Sequence, residues 1–266
     1  MIDCDLIRKK SNATLFSKNI ICLDEVDSTN SFILKMAKDG AAEGTVVIAK
    51  YQKAGRGRHG RKWVSPSGQN LLFSILLRPS VLIEDAQKIT LAVGDTLART
   101  IKDYFAEQQW PEIVLEVKWP NDLLVDGKKI SGILAESILS EKKVVALAIG
   151  IGLNINMTQE DFDGELKGKA ASLSEFSGKP IVPEEILSLF LKNLEVYYEA
   201  WERTNYKGVV CQWKQNNYQT GKNIVIKTPT GEESVTFYDV DENGYLLYKR
   251  EDGTLKQLVS GEIRCY

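Results

Sequence analysis

Apolar residues recur along this chain with two periods, and the change from one to the other divides it. In STNSFILKMAKDG, Phe32, Ile33, Met36 and Ala37 fall on one helical face, Ser28 or Thr29 stands where an N-cap belongs, and Gly40 closes the run. TVVIAK (45–50) and NLLFSILL (70–77) read as strands. Ile89, Val93, Leu97, Ile101 and Phe105 keep helical spacing, which predicts a long helix over 84–106. The segment 113–139 reads as strand, turn and hairpin, with Asp126-Gly127 as a type I′ turn signal. KVVALAIGIGLNI (143–155) is apolar almost throughout, as a strand buried on both faces would be. A polar loop over 157–169 precedes a helix over 183–201 and a shorter one reaching about 217.

After Thr220 the texture shortens. Alternating runs are separated by Thr230-Gly231, Asn243-Gly244 and Asp252-Gly253, which predicts a small module of four or five strands, an SH3-like barrel. The pattern therefore describes an α+β chain: an α/β-type domain over 1–219 and an all-β domain over 220–266.

A chain of 266 residues is long enough for a core in each domain. The formal net charge of −2 excludes a polycation built as a whole for nucleic acid. No apolar run reaches the ~18 residues of a membrane span, and the polar N-terminus has no signal-peptide core, so a cytoplasmic protein is expected. Cys4, Cys22, Cys211 and Cys265 are scattered without a C-x-x-C pair, which predicts free thiols in a reducing compartment rather than a zinc or redox site. The single histidine, His59, leaves a Ser-His-Asp triad or a His-based metal centre almost no material.

Candidate chemistry gathers around GRGRHGR (55–61), whose first six residues fit G-x-G-x-x-G. A dinucleotide fold would open a helix at the third glycine and place an acid about 20 residues on. Here Pro66 and Gly68 follow instead, and no Asp or Glu occurs from 44 to 83. That acid-free stretch holds Lys50, Lys53, Arg56, Arg58, Arg61, Lys62 and Arg78, a local positive field suited to a phosphate or carboxylate. A solvated basic loop or a weak RNA contact would share the composition. The hairpin VKWPNDLLVDGKKISGILAE adds Lys118, Asn121, Asp122 and Lys129, and the strand period of two lets only one of Lys128 and Lys129 enter a pocket. GIGLNIN supplies glycines where a ligand can approach the backbone, and Asn154 as an amide reader.

These segments, with DSTN (27–30) and AASL (170–173), resemble in content and order the biotin–protein ligases, the biotin–[acetyl-CoA-carboxylase] ligases, from about Leu23 onward. The resemblance implies a class II synthetase-like catalytic domain, a mixed sheet flanked by helices, followed by the SH3-like domain. It implies that biotin and ATP give biotinyl-5′-AMP and pyrophosphate, with Mg2+, and that biotin then passes to one lysine of a biotin carboxyl carrier protein. Carried onto this sequence, it places Ser28, Thr29, Asn30 and Gln52 on the ureido ring. It places Arg56, Gly57 and Arg58 on the biotin carboxylate and the adenylate phosphate, with Arg61 assisting at the triphosphate. Trp63 walls the ligand, Gly132 and Ile133 offer backbone groups to biotin, and Lys129 binds the reacting carboxylate and α-phosphate. Lys118, Asn121 and Asp122 lie near the phosphates, Asp122 as a candidate magnesium ligand, and Asn154 reaches the nucleotide. The catalytic set is thus Lys129, Arg56 and Arg58.

Two departures from the family pattern stand out. About twenty residues precede the matching region, too few for the winged helix-turn-helix of family repressors, so no direct DNA binding is expected. Position 59 is His where a basic residue is common, read as a solvated loop residue. Family members are homodimers or monomers. The alternatives are a lipoate or octanoate ligase or transferase and, from another class, an RNA-binding or adaptor protein. Against the latter, aromatics are not interleaved with the basic run.

Overall fold

The strands richest in consecutive apolar residues take the middle of the main sheet. The computed structural model describes residues 2–162, 164–204, 206–228 and 231–265. In it β1 (Ile20–Val26), β2 (Val46–Gln52), β3 (Asn70–Leu77), β4 (Leu115–Lys118), β5 (Asp122–Val125), β6 (Lys128–Ser140) and β7 (Lys143–Asn154) form one sheet. Their order is β1-β2-β3-β7-β6-β5-β4. β1 and β2 run parallel and the other neighbours antiparallel, so the sheet is mixed, as expected. Every residue of β3 is buried because both of its faces are covered.

The two faces follow the strand alternation. Val46, Ile48, Phe73, Ile75, Ile149 and Ile151 point to a large core shared with α3 (Ala86–Glu107) and α5 (Pro183–Arg203). Val47, Leu76, Ala146 and Ala148 point the other way, to Ile33 and Ala37 of α2 (Thr29–Lys38). Helix α1 (Cys4–Ser11) packs beside α5, and α4 (Leu173–Ser177) and α6 (Val209–Lys214) are short. Asp126 and Gly127 both have positive φ, 50° and 73°, the conformation a type I′ hairpin requires.

The second sheet is the small SH3-like unit, five antiparallel strands in the order β11-β10-β9-β8-β12. They are β8 (Asn223–Thr228), β9 (Gly231–Val240), β10 (Leu246–Lys249), β11 (Leu255–Leu258) and β12 (Glu262–Cys265). Trp119, 1% exposed, fastens this unit to the first. Its indole N–H donates to Gly244 O at 2.9 Å and its backbone N–H to Gln219 Oε1 at 2.6 Å. The Trp119-Pro120 peptide is cis. Of the turn pairs expected in this module, Thr230 lies outside the described residues.

Two expectations are corrected. Cys4 and Cys22 form a disulfide that ties α1 to β1, in place of free thiols, while Cys211 is free and exposed. Their Cα atoms lie 6.2 Å apart, within bonding reach. Ser28 holds the N-cap position of α2, but its side chain makes no capping bond. Elements α1, β1 and α4 add to the sequence reading; each is short or carries charges that blur its period.

Candidate active site

Gly132, Gly150 and Gly152 line the sheet side of a cavity of about 190 Å³ on the α2 face of the sheet. Ser74 of β3 pairs with Gly150 of β7, which pairs with Leu134 of β6; the next row is Leu72, Gly152 and Gly132. A Cβ on Gly150 would strike the Asn30 amide, and one on Gly152 would strike the Trp63 indole. The glycines therefore let α2 and the arginine loop lie directly on the sheet.

The start of α2 closes one end. The Thr29 backbone N–H donates to Gln52 Oε1 at 2.8 Å. Asn30 is 3% exposed and its amide is spent on protein groups. Its Nδ2 donates to Leu134 O at 3.1 Å and to Glu136 Oε2 at 2.8 Å, and its Oδ1 accepts from Ser74 Oγ at 2.6 Å.

The loop 55–61 covers the cavity as a compact turn. Gly57 N–H donates to Arg61 O at 2.7 Å and Trp63 N–H to Gly55 O at 2.9 Å. A single 3₁₀ turn, Arg58–Gly60, stands where a dinucleotide fold would start a helix. His59 is exposed with φ 54°, a loop residue as expected. Arg56 Nη2 donates to both Glu136 oxygens at 2.9 Å. Arg58 turns its Nη2 to Ser260 Oγ of the second sheet at 3.2 Å. Burial pushes the Arg58 pKa below the ordinary arginine value, and the nearby Asp122 charge opposes that shift.

Lys129 enters from the β5–β6 hairpin. Its Nζ lies 2.7 Å from Asp122 Oδ1 and 5.5 Å from the centre of a Trp63 ring, an ion pair and a cation–π contact. Its backbone is held by Lys169 O and by the Ala171 N–H. Asn121 Nδ2 donates to Ile133 O at 2.8 Å, and Ile133 N–H to Asn121 O at 2.9 Å, so this turn braces the cavity wall. Asn154 donates to Ala171 O at 3.2 Å and accepts from Asn70 Nδ2 at 3.3 Å.

Ser28, Thr29, Asn30, Gln52, Arg56, Gly57, Arg58, Arg61, Trp63, Asn121, Asp122, Lys129, Gly132, Ile133 and Asn154 all line this one cavity; Lys118, at the end of β4, does not. The acid-free segment does not stay unpaired in space. Arg56 meets Glu136, and Lys53 meets Glu25 at 2.5 Å. Arg78 sits away from the cavity, with its guanidinium on the carbonyls of Ala37, Ala41 and Val145. Sequence reasoning missed Ser74 and Glu136. Glu136 lies inside the quoted GILAE stretch but carries no periodic signal, and Ser74 is one hydroxyl in an apolar strand.

A glycine-floored cavity lined by Arg56, Arg58, Arg61 and Lys129 together with Ser28, Thr29 and Gln52 has the chemistry to hold a small molecule bearing an anionic group. Residues 22–154 match the biotin/lipoate A/B protein ligase family and residues 220–264 the biotin protein ligase C-terminal domain; the chain belongs to this ligase family. It is 32% identical over 261 residues to the bifunctional ligase/repressor BirA of Bacillus spizizenii, covering 97% of this chain and 77% of that protein. It is 31% identical over 234 residues to the biotin–[acetyl-CoA-carboxylase] ligase of Paracoccus denitrificans, covering 87% of this chain and 94% of that one. The fold matches the biotin protein ligase of Aquifex aeolicus in complex with biotin and ATP, with a TM-score of 0.75 and 29% identity over 94% of this chain and 100% of that one.

Proposed function

We propose that this chain is a biotin–protein ligase that condenses biotin with ATP and passes the biotinyl group to a lysine of a biotin carboxyl carrier protein. The observation that carries the reading is the convergence of Lys129, Arg56, Arg58 and Arg61 with the hydrogen-bonding Ser28, Thr29 and Gln52 on one cavity. The match of residues 220–264 to the C-terminal domain of biotin protein ligases favours biotin over lipoate. The cations serve a ligand cavity, which accounts for them without DNA or RNA; we propose no repressor role. ATP as a substrate supports a cytoplasmic site of action. The division at 219/220 separates the unit that binds both substrates from the β unit that covers Arg58.

In the first step a biotin carboxylate oxygen attacks the α-phosphorus of ATP, a P–O bond forms, and the bond to the β-phosphate breaks with loss of pyrophosphate. Both reactants are anions. Lys129 and the loop arginines offset their repulsion and the charge that builds on the α-phosphate. Thr29 and Gln52 hold the ureido ring, Ser28 beside them, and Asn30 positions Thr29. Trp63 lies along the ligand and excludes water. In the second step the neutral amine of the carrier lysine attacks the acyl carbon, a C–N bond forms, AMP leaves with the electrons of the broken C–O bond, and the nitrogen gives up one proton to solvent. Magnesium fits as a companion of the triphosphate: among the described residues Asp122 is the one acid in the lining, and one carboxylate plus phosphate oxygens is an ordinary magnesium shell. When bound it neutralises the leaving pyrophosphate.

Pyrophosphate release from magnesium-ATP should require biotin and ignore lipoate. Release with lipoate alone would move the assignment to the lipoate branch, and release with neither would refute both. Arg58→Gly should retain activation but hold the adenylate less tightly, so that activated biotin labels bystander lysines; mass spectrometry of a mixture of carrier and unrelated protein would read this. Labelling confined to the carrier would remove Arg58 from its assigned role.

A further inference from the structure

The loop 55–61 brings its arginines to the cavity, yet its backbone hydrogen bonds close on the loop itself. Gly57 N–H returns to Arg61 O, Trp63 N–H to Gly55 O, and Arg56 pairs across the turn with Lys62. These bonds shape the turn without attaching it to the sheet. The ion pair of Arg56 with Glu136 does attach it, and the two partners differ in freedom. Glu136 stands on β6 opposite Ala148 of β7, and its Oε2 also accepts from Asn30 Nδ2 at 2.8 Å. Asn30 is itself buried, so the acid is held from the folded core and the arginine is the movable partner. The pair also divides the guanidinium. Arg56 donates from Nη2 to both Glu136 oxygens at 2.9 Å, while its Nη1 and Nε have no hydrogen-bond partner among the described residues. An arginine fork pinned by one nitrogen keeps the other two for a second anion. Arg56 lines the cavity and Glu136 does not.

We propose that Glu136 is the clasp of the arginine loop: it pins Arg56 by one nitrogen, holds 55–61 down on the sheet, and leaves the rest of the fork to the anionic group of the ligand. Glu136 is a positioning residue, because it acts through Arg56 from outside the cavity. For the identity of the anionic group the inference rests on the biotin reading, which it deepens by giving ligand retention a counter-charge that the ligand never touches. An arginine already pinned loses less freedom when the anion arrives, so the clasp lowers the ordering cost of binding. Its loss belongs in substrate binding rather than in the chemical step.

Amide exchange of the loop in the whole, ligand-free chain tests the clasp without reference to biotin. Glu136→Gln keeps an oxygen for Asn30 and removes the charge opposite Arg56. Exchange at Gly57 and Trp63 should rise roughly twofold to fivefold, the range of an ion pair whose side chains are 44% and 31% exposed. The difference should shrink as salt is raised from about 0.01 M to about 1 M, because the Debye length falls from about 30 Å to about 3 Å. In an Arg56→Gln background the same change should add nothing. Equal exchange in wild type and Glu136→Gln would overturn the proposal. So would an increment that persists without Arg56, since the acid would then act through Asn30. On the reaction, Glu136→Gln should raise the KM for biotin by a similar factor and leave kcat for pyrophosphate release within about twofold of wild type. A fall in kcat at unchanged KM would count equally against the clasp. A wild-type chain that releases no pyrophosphate with biotin refutes the biotin reading alone, and the exchange measurements still decide the clasp.

Discussion

Lys129 is placed by contacts that differ in strength. Its ion pair with Asp122 is partly exposed, 29% and 20% on the two side chains, and contributes on the order of 1 kcal/mol. The two backbone bonds to Lys169 and Ala171 do more to fix where the side chain starts. Lys129→Gln should therefore fold with a melting temperature close to wild type and lose activation. A decrease of about 10²–10³ in the rate of biotin-dependent pyrophosphate release is expected for loss of one charge-stabilising group. A rate within threefold of wild type would remove Lys129 from the chemistry. Residue types and local spacing gathered the arginines and left Lys128 and Lys129 as alternatives, and the family resemblance chose Lys129. Their partners were not legible. Glu136 stands 80 positions from Arg56, and Ser74 lies 44 from Asn30, so only the packing of the arginine loop and α2 onto the sheet brings them together.

Among the elements, β3 was readable to the residue because an apolar run between a glycine-rich loop and Pro79 has no other reading. Helix α1 was not. It has eight residues, half of them charged, and is held by its surroundings rather than by its own propensity. Asp3 caps it through bonds to the Asp5 and Leu6 N–H groups, and Ile7 is fully buried against the core. The Cys4–Cys22 bond crosses a separation of 18 residues to fasten it to β1. A crosslink closing a loop of that size stabilises by about 3 kcal/mol in the chain-entropy account. Reductant, or Cys4→Ser, should lower the melting temperature by several degrees, read by a thermal scan. An unchanged midpoint with and without reductant would show that the pair contributes nothing to the folded state. A reducing compartment would open this bond, so the oxidised fraction also reports where the protein has been.

At the scale of the whole molecule, the two sheets meet across the hairpin that carries the site. Trp119 stands one element-end away from Asp122, and its side chain is buried under the second sheet while Asp122 faces the cavity. The division into α/β and β units was visible as a change of period at about residue 220, but this junction was not, since nothing local in Lys-Trp-Pro-Asn-Asp says that the indole reaches Gly244. Arg58 belongs to both sides, lining the ligand cavity and donating to Ser260. One guanidinium thus has two claimants. A ligand that draws Arg58 inward loosens its hold on the C-terminal unit, and a protein that docks on that unit and engages Ser260 alters what remains for the ligand. By thermodynamic reciprocity the two effects are equal in free energy. Filling of the cavity would thus be registered on the outer surface as a change in amide exchange near Ser260.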